Sequence, residues 1–354
     1  MNTEGVRIYI YYFIGMFITS LLINNLFLKF AKTLGIRNNS EETVIRWGSL
    51  SKPSFGGISF YLTFLISFIS YFLLFNQNGD LQNKRLFGLF IACSLAFFMG
   101  LADDAYNTRP MLKFFVQVLC GIILVVSGWF ITLFETPFLN YLLTVFWIVA
   151  VMNSINMLDN MDAITTVVSM MIIFVVITII FFTHDFPNSH IIILTGVLAS
   201  LSGFLFFNWY PSKLYMGDTG SQFLGIFLAA IGIKYFWNAP DVNGNIIVSR
   251  QLLIVMLAFI IPTIDTTVVI INRLLKRSSP FVGGKDHTTH HLFFYGFSER
   301  RIAVLYGGIS LLSLLFVIYI IQYLTMWNNM YLAAFGGYFL LIFVLLFRVT
   351  RKKP

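Results

Sequence analysis

The segment LFGLFIACSLAFFMGLADD, from Leu86 to Asp104, decides the fold class, because it joins a membrane-length apolar run to two adjacent carboxylates. About 20 consecutive apolar residues cross the hydrocarbon core of a bilayer as a helix. The run that begins at Leu86 carries no charge until Asp103 and Asp104. The segment therefore predicts a transmembrane helix whose end concentrates negative charge.

The composition extends this prediction to the whole chain. Hydrophobic residues make up 58% of the 354 residues and charged residues 11%, with a mean hydropathy of +0.83. This leaves too little polar surface to solvate a soluble globule. We predict an all-α, polytopic membrane protein that forms a single integral-membrane domain over residues 1–354. Uncharged apolar stretches predict about eleven transmembrane helices, at 8–30, 56–75, 86–102, 114–134, 138–156, 164–182, 191–207, 221–237, 251–271, 302–323 and 330–347.

The distribution of basic residues predicts the orientation, because cytoplasmic loops are enriched in Lys and Arg. With the N-terminus outside and the C-terminus cytoplasmic, all but five of the 23 basic residues fall on the cytoplasmic side of the cell inner membrane. The exceptions are Arg7, Lys84, Arg85, Lys234 and Arg250. This bias also explains much of the net charge of +8, so we expect no nucleic-acid binding. The predicted cytoplasmic loops are 31–55, 103–113, 153–163, 208–220 and 273–301.

Polar side chains cluster in four of these loops, beginning with Asp103 and Asp104, which are followed by Lys113. A solvated helix cap would explain one Asp but not two that repel each other at a membrane boundary. A divalent cation or a phosphate-handling role would relieve that repulsion. The pair is therefore a candidate for metal or phosphate chemistry.

The second cluster is NSINMLDNMD, residues 153–162. In a helix, Asn153, Asn156 and Asn160 share one face, with Asp159 and Asp162 at its flank. So dense a polar face within a membrane is costly unless it lines a water-filled cavity or binds a ligand. We therefore predict a binding function for this segment.

The other two clusters add a carboxylate between glycines and a group of histidines. Asp218 lies in MGDTGS, where it is either a helix N-cap or a metal ligand that phosphate oxygens can approach, and Asn208 precedes it. His287, His290 and His291 lie in GGKDHTTHH. Without cysteines and with no common zinc spacing, these histidines suit a phosphate or a sugar nucleotide better than zinc.

Together these segments resemble the polyprenyl-phosphate N-acetylhexosamine-1-phosphate transferases of the glycosyltransferase family 4 type. The likeness covers KPSFGGIS from Lys52, GLADD, NSINMLDNMD, NWYPSKLYMGDTGS and the histidine loop, in the family's order. The histidine loop is more similar to that of the undecaprenyl-phosphate GlcNAc-1-phosphate transferases than to that of the muramoyl-pentapeptide transferase.

The resemblance implies that Mg²⁺, or Mn²⁺ in its place, bridges the diphosphate of a UDP-N-acetylhexosamine while the phosphate of a polyprenyl lipid attacks and UMP leaves. Asp103 and Asp104 would be the catalytic carboxylates, Asp104 would also meet the metal, and Asp218 would be its principal ligand. The resemblance further implies a first membrane step in cell-envelope glycan synthesis, such as that of lipopolysaccharide, and a homodimer. The predicted substrate-binding residues are Lys113, Asn153, Asn156, Asp159, Asp162, Asn208, His287, His290 and His291.

The sequence departs from the family pattern in two places. Asp-Gly-x-Asp-Gly is replaced by Asp159-Asn160-Met161-Asp162-Ala163, so both glycines are missing. His-x-His-His is one residue longer here, at 287–291, which leaves the role of each imidazole open.

Three other functions remain as alternatives. A phospho-N-acetylmuramoyl-pentapeptide transferase-like enzyme would use the same chemistry on another sugar. A secondary transporter would favour midplane sites and an internal repeat, and the sequence shows no repeat. A membrane prenyltransferase would be expected to repeat its Asp-rich motif, whereas Asn and His dominate here.

Overall fold

The computed structural model describes residues 3–33, 53–75, 83–183, 188–279 and 284–351, and throughout these ranges the regular elements are helices. Residues 34–52 of the predicted loop 31–55, with Arg37, Arg46 and Lys52, lie outside the described residues, as do residues 280–283 of the loop 273–301. The helices are α1 (Thr3–Thr33), α2 (Gly56–Ser70, then a π-helical turn Tyr71–Phe75), α3 (Lys84–Tyr106), α4 (Pro110–Val126), α5 (Pro137–Leu158), α6 (Ile164–Thr183), α7 (Asn188–Asn208), α8 (Gly217–Gly232, then a π-helical turn Ile233–Trp237), α9 (Val248–Ala258), α10 (Ile260–Leu275), α11 (Thr288–Phe294), α12 (Glu299–Gln322) and α13 (Asn329–Arg351).

The predicted all-α, polytopic architecture is confirmed. Nine helices in the described ranges are long and apolar enough to cross a membrane, and a tenth span is obtained if α9 and α10 are counted together. These two helices bend by 87° at Phe259, where the sequence predicted one span over 251–271. The side of the membrane on which each terminus lies stays a prediction.

Helix α4 is shorter than the predicted span 114–134. It ends at Val126, and Gly128 follows with a φ of +92°, a left-handed conformation that favours glycine. The chain then leaves the helix, and its backbone N–H groups donate to side chains of α5: Ile131 to Thr144 Oγ1 at 2.9 Å and Leu133 to Asn140 Oδ1 at 3.0 Å. Polar side chains of α5 thus replace the helical hydrogen bonds that this segment lacks.

Helix α8 lies at the centre of the bundle. Every residue from Thr219 to Gly232 is buried, whereas the most apolar windows of α1 and α13 are only 17% and 11% buried. A helix that is apolar all round belongs in the interior of a membrane protein, and sparsely buried apolar helices face the lipid. The first turn of α8 is therefore fixed by neighbours on several sides.

Glycines let α2 and α3 approach that first turn backbone to backbone. A Cβ on Gly100 of α3 would lie 2.3 Å from the carbonyl oxygen of Asp218, and one on Gly57 of α2 would lie 2.2 Å from the nitrogen of Gly220. The N–H of Gly57 also donates to the carbonyl of Met216 at 3.0 Å. Side chains at the end of α3 and the start of α8 are thereby brought within contact distance.

Candidate active site

Four helix ends bring the predicted carboxylates and their partners together. Asp103 lies in the last turns of α3, Lys113 in the first turn of α4, Asn156 in the last turn of α5 and Asp218 in the first turn of α8. The ammonium of Lys113 lies 2.6 Å from Asp103 Oδ2 and also pairs with Asp218 Oδ2. A cation thus lies between two carboxylates from residues more than a hundred positions apart.

A tight turn after α3 holds Asp103. Asn107 has a φ of 49° and ends the helix in the left-handed conformation, with its N–H donating to the carbonyl of Asp103 at 2.8 Å. The backbone N–H of Thr108 then donates to Asp103 Oδ1 at 2.9 Å, and the Thr108 hydroxyl donates to the same oxygen at 2.5 Å. Oδ1 is therefore engaged by the turn, and Oδ2 faces Lys113.

Asp104 instead binds the N-terminus of α8. Its Oδ1 accepts the N–H of Asp218 at 3.0 Å, and its Oδ2 accepts the N–H of Thr219 at 2.9 Å and the Thr219 hydroxyl at 2.6 Å. The first N–H groups of a helix lack intrahelical partners and favour an anion. A Cβ at Gly217, where φ is +71°, would lie 2.5 Å from Asp104 Oδ2, so only glycine fits beside this cap.

Asparagine and glutamine amides complete the carboxylate cluster. The Asn156 amide donates to Asp218 Oδ1 at 3.0 Å and to the Ser221 hydroxyl at 2.8 Å. Behind it, Asn153 donates to Gln117 Oε1 at 2.8 Å, and Gln117 donates to Gln222 Oε1 at 3.1 Å. Asn156 therefore contacts the first turn of α8 directly, and Asn153 is linked to it through Gln117. Asn160, which was predicted to share their helical face, instead lies in the turn after α5, because the helix ends at Leu158.

Asp162 and Asn208 join two connecting segments. Asp162 accepts the N–H and the hydroxyl of Ser212 at 2.8 and 2.7 Å. Asn208 Oδ1 accepts the N–H of Ala163 at 3.1 Å, while its amide donates to the carbonyl of Leu214 at 3.1 Å. Both side chains are buried and hold the turn after α5 against the segment before α8.

Ala163 occupies a position that favours glycine. Its φ is +66°, in the left-handed region, and the resembling family has glycine there. The backbone therefore keeps the glycine conformation despite the substitution. Asp159, at the other end of this turn, ends α5, and its N–H donates to the carbonyl of Asn156 at 3.3 Å.

The histidine loop is tied to the bundle by two carboxylate contacts, one partly buried at Asp286 and one fully buried at Asp265. Arg273 donates to Asp286 from Nε and Nη2 at 2.7 and 2.8 Å, a bidentate pair. His287 Nδ1 lies 2.8 Å from Asp265 Oδ2, and Asp265 Oδ1 accepts the N–H of Thr288 at 2.9 Å. Burial raises the pKa of Asp286, but the Arg273 guanidinium outweighs it and holds that pKa below its usual value.

Helix α11 places the other two histidines. His290 is buried, and this burial, with the nearby His287, lowers the pKa of His290 to about 3, so the imidazole is neutral at pH 7. Burial and the charge of Lys276 lower the pKa of His291. The Thr289 hydroxyl donates to Asn160 Oδ1 at 2.7 Å, which joins α11 to the turn after α5. All four sequence clusters are therefore linked at one end of the bundle.

Several partners in the site were not singled out by sequence reasoning. Thr108 and Thr219 each donate two hydrogen bonds to one of the paired aspartates. Gln222 has a recognisable signal, because it follows Asp218 by four residues and so shares its face of α8. The two threonines have none, since hydroxyl residues are common at helix ends for structural reasons.

The fold and the site define a polytopic membrane protein with a carboxylate and amide cluster at one end of its helix bundle. Residues 86–236 match the family model described as glycosyl transferase family 4. The match supports the resemblance predicted from the motifs of the chain.

Relatives with similarity along most of the chain support the same resemblance. The chain is 26% identical over 294 residues to a "Probable undecaprenyl-phosphate N-acetylglucosaminyl 1-phosphate transferase" of Bacillus subtilis, an alignment that covers 79% of this chain and 76% of the relative. It is 26% identical over 278 residues to a decaprenyl-phosphate N-acetylglucosaminephosphotransferase of Mycobacterium leprae, covering 72% and 69%. It is 27% identical over 285 residues to a phospho-N-acetylmuramoyl-pentapeptide-transferase of Listeria welshimeri, covering 74% and 81%.

Proposed function

We propose that this chain transfers N-acetylhexosamine 1-phosphate, preferentially GlcNAc 1-phosphate, from a UDP-sugar to polyprenyl phosphate and releases UMP. The observation that carries the proposal is the Lys113 ammonium held between Asp103 and Asp218 at a helix-bundle end. Phosphoryl transfer needs charge neutralisation and positioning more than covalent help. The two first-named relatives, both called N-acetylglucosamine phosphate transferases acting on polyprenyl phosphates, support the choice of substrates.

The donor atoms of this cluster suit Mg²⁺. Asp103 and Asp218 offer carboxylate oxygens, the ligands that Mg²⁺ prefers, and Lys113 marks a position between them that takes a cation. Within the described ranges, no group of three or more His, Cys, Asp or Glu side chains is arranged to hold a metal alone. Because Mg²⁺ is usually bound by one or two carboxylates together with substrate phosphates, Asp218 and Asp103 would hold it once the UDP-sugar is bound.

When bound, Mg²⁺ would neutralise charge on the diphosphate. The chain's own groups then have distinct tasks in a one-step transfer. The lipid phosphate forms a P–O bond to the sugar-bearing β-phosphorus, the bond to the bridging oxygen breaks, and UMP leaves with the electron pair. Asp103 Oδ2 would accept the residual proton of the lipid phosphate, and Lys113 would bind phosphate oxygens. Asp104 would keep Asp218 in place through the N-terminus of α8.

The test of this proposal is UMP release by the purified protein from UDP-GlcNAc, with and without undecaprenyl phosphate and Mg²⁺. We expect release to require both additions and to be at least tenfold slower with the UDP-muramoyl-pentapeptide, because that substrate belongs to the alternative activity. Asp218→Asn should lower release at least 100-fold through loss of a charged ligand. Glu135→Gln makes the same carboxylate-to-amide change at an exposed position after α4 and should match the wild type.

Three outcomes would contradict the proposal at different points. Full activity and unchanged Mg²⁺ dependence in Asp218→Asn would refute the metal assignment. A sugar-phosphate adduct on Asp103 formed without lipid would refute the one-step transfer. Solute transport across vesicles with no UMP release would favour a transporter over an enzyme.

We also propose that the site faces the cytoplasm, as the distribution of basic residues favours. Tyr106 is 84% exposed at the end of α3, and Glu135 is exposed near the opposite end of the bundle, while the two native cysteines are buried. An impermeant maleimide should label Glu135→Cys in intact cells and Tyr106→Cys only after permeabilisation. The reverse pattern would place the site outside.

A further inference from the structure

A polar cavity lies among the ends of α3, α6, α8 and α12. Its volume is about 780 Å³, and its wall combines charged and hydrogen-bonding side chains with apolar ones. The polar part includes Arg85, Lys234, His190 and Asn238, and the apolar part includes Trp129 and Ile233. The candidate active site uses none of these residues.

The cavity lies at the opposite end of the bundle from the carboxylate cluster. Arg85 begins α3 and Asp103 comes near its end, while Lys234 follows α8 and Asp218 begins it. With a rise of 1.5 Å per helical residue, either separation is about 25 Å. The positive-inside distribution predicts that this end faces outward.

Basic residues are rare at this end, and the cavity collects two of the five that the sequence places outside. A third, Arg250, has a structural task, because its guanidinium donates to the carbonyls of Ala239, Pro240 and Ile320 at 2.8, 3.3 and 3.3 Å. These bonds hold the 239–240 segment, which forms part of the cavity wall. Arg85 and Lys234 are thus two basic residues on the side where the sequence has few, and both line the same cavity.

Lys234 belongs to a local polar network. Its ammonium lies 3.3 Å from His190 Nδ1, and that nitrogen lies 2.6 Å from the Tyr235 hydroxyl. An ammonium can only donate, so Nδ1 accepts and the imidazole is neutral with its proton on Nε2. Lys234 also lies in the π-helical turn Ile233–Trp237, and such turns within a helix frequently mark functional sites.

The wall also holds one carboxylate, Asp241, which offsets only one of the two positive charges of Arg85 and Lys234. Asp241 Oδ1 accepts the backbone N–H groups of Asn243 and Asn245 at 2.9 and 2.7 Å, so this oxygen serves its own loop. The cavity thus carries two cations against one carboxylate, together with neutral donors and an apolar wall. That combination fits an anionic group attached to an apolar body.

We propose that this cavity binds a phosphate group at the end of the bundle opposite the active site, and that the phosphate is the headgroup of an anionic phospholipid. A phosphodiester presents two unesterified oxygens, which the Arg85 guanidinium and the Lys234 ammonium can share as charge-assisted donors. The apolar wall of Trp129 and Ile233 then contacts the glycerol and the upper acyl chains. The proposal is independent of the transferase activity.

The test is lipid retention by the full-length protein, purified from vesicles of equal phosphatidylglycerol and phosphatidylcholine and analysed by native mass spectrometry. We expect preferential retention of phosphatidylglycerol, reduced about tenfold in Arg85→Gln and in Lys234→Gln, because each loses a charge-assisted hydrogen bond. Lys84→Gln is the matched control, since Lys84 is the exposed neighbour of Arg85 and does not line the cavity. Lys234→Arg should retain the lipid, and a thermal unfolding transition would show that each variant is folded.

The outcomes separate the source of the phosphate from the existence of the site. Displacement of phosphatidylglycerol by millimolar inorganic phosphate, in the wild type but not in Arg85→Gln, would support the site and identify free phosphate as a second ligand. No displacement, with the lipid losses above, would support the lipid alone. Equal retention of the two lipids, or equal losses in Lys84→Gln and Arg85→Gln, would overturn the proposal.

Discussion

Replacing Gly100 with alanine should lower the activity of this protein much more than its stability. The added Cβ would lie 2.3 Å from the Asp218 carbonyl oxygen and 2.6 Å from Thr219 Cα. Both atoms are backbone, so no side-chain rotation relieves the contact. Ordinary contact begins near 3.4 Å, and α3 and α8 must therefore move apart by about 1 Å.

This movement acts on the site directly, because Gly100 lies one helical turn before Asp103 and Asp104. Overpacking of this kind costs about 1–3 kcal/mol. A misplacement of about 1 Å between reacting groups can cost roughly 100-fold in rate, equivalent to about 2.7 kcal/mol of activation free energy. We expect a modestly destabilised protein with about 100-fold slower UMP release.

The assay combines thermal unfolding with UMP release at saturating UDP-GlcNAc and undecaprenyl phosphate. Gly88→Ala is a matched control, because it crowds the same helix at its other end, where a Cβ would lie 1.9 Å from the Ser127 hydroxyl. Gly308→Ala adds a methyl group where nothing lies within 4 Å. If Gly100→Ala kept wild-type turnover, or if Gly88→Ala lost as much, close packing of α3 on α8 would not position the active site.

Three other variants test separate contacts. Lys113→Met should slow UMP release at least tenfold. Because the carboxylates of Asp103 and Asp218 then repel each other, added Mg²⁺ should raise the unfolding temperature of this variant more than that of the wild type. Equal shifts in unfolding temperature would refute the bridging role of Lys113. Ala163→Gly should stabilise the protein by about 1 kcal/mol in chemical denaturation, since glycine adopts the positive φ without strain; a loss of stability would contradict this. Arg273→Gln should cost about 2 kcal/mol at pH 7. The pKa of Asp286 is lower in the folded than in the unfolded protein, so this stabilisation is present above the unfolded pKa of about 3.9 and is lost as the pH falls through the folded pKa. The unfolding temperatures of the wild type and Arg273→Gln should therefore converge below about pH 4. A difference that persisted at lower pH would show that the ion pair is not its source.

Run length and charge were sufficient to predict most of the helices, because a membrane selects for apolar segments of one length. The same signal could not show the 87° bend at Phe259, since the sequence on both sides of it is equally apolar. Pro262 lies in the first turn of α10, a position where a missing N–H is tolerated, and in retrospect it is the one local indication of a helix start. The early end of α4, at Val126, depends on hydrogen bonds to Thr144 and Asn140 of α5, which come later in the sequence than the apolar run of α4.

The residue types of the site were predictable, but their pairings were not. Asn156 and Asp218 could be expected to meet, because the end of α5 and the start of α8 were predicted to lie at the same face of the membrane. Asp162 and Asn208 were predicted to bind substrate, and in the structure they hydrogen-bond to two turns, at Ser212 and Ala163. Sequence spacing cannot separate these roles, because the same residue types serve as buried side chains that hold a loop and as side chains that bind a ligand.

The two adjacent aspartates illustrate what only the fold can decide. Consecutive residues on a helix point about 100° apart, so Asp103 and Asp104 meet different atoms of the site. Asp104 meets three donors from Asp218 and Thr219, which fixes the position of the Asp218 backbone. Asp103 meets Lys113, which also meets the Asp218 side chain. We infer that Asp104 acts on the reaction by positioning Asp218, and that Asp103 and Asp218 are the carboxylates that face the substrates. On this basis Asp104→Asn, which keeps one acceptor oxygen, should lose less activity than Asp103→Asn, and an equal or larger loss would return Asp104 to direct contact with the reacting phosphates.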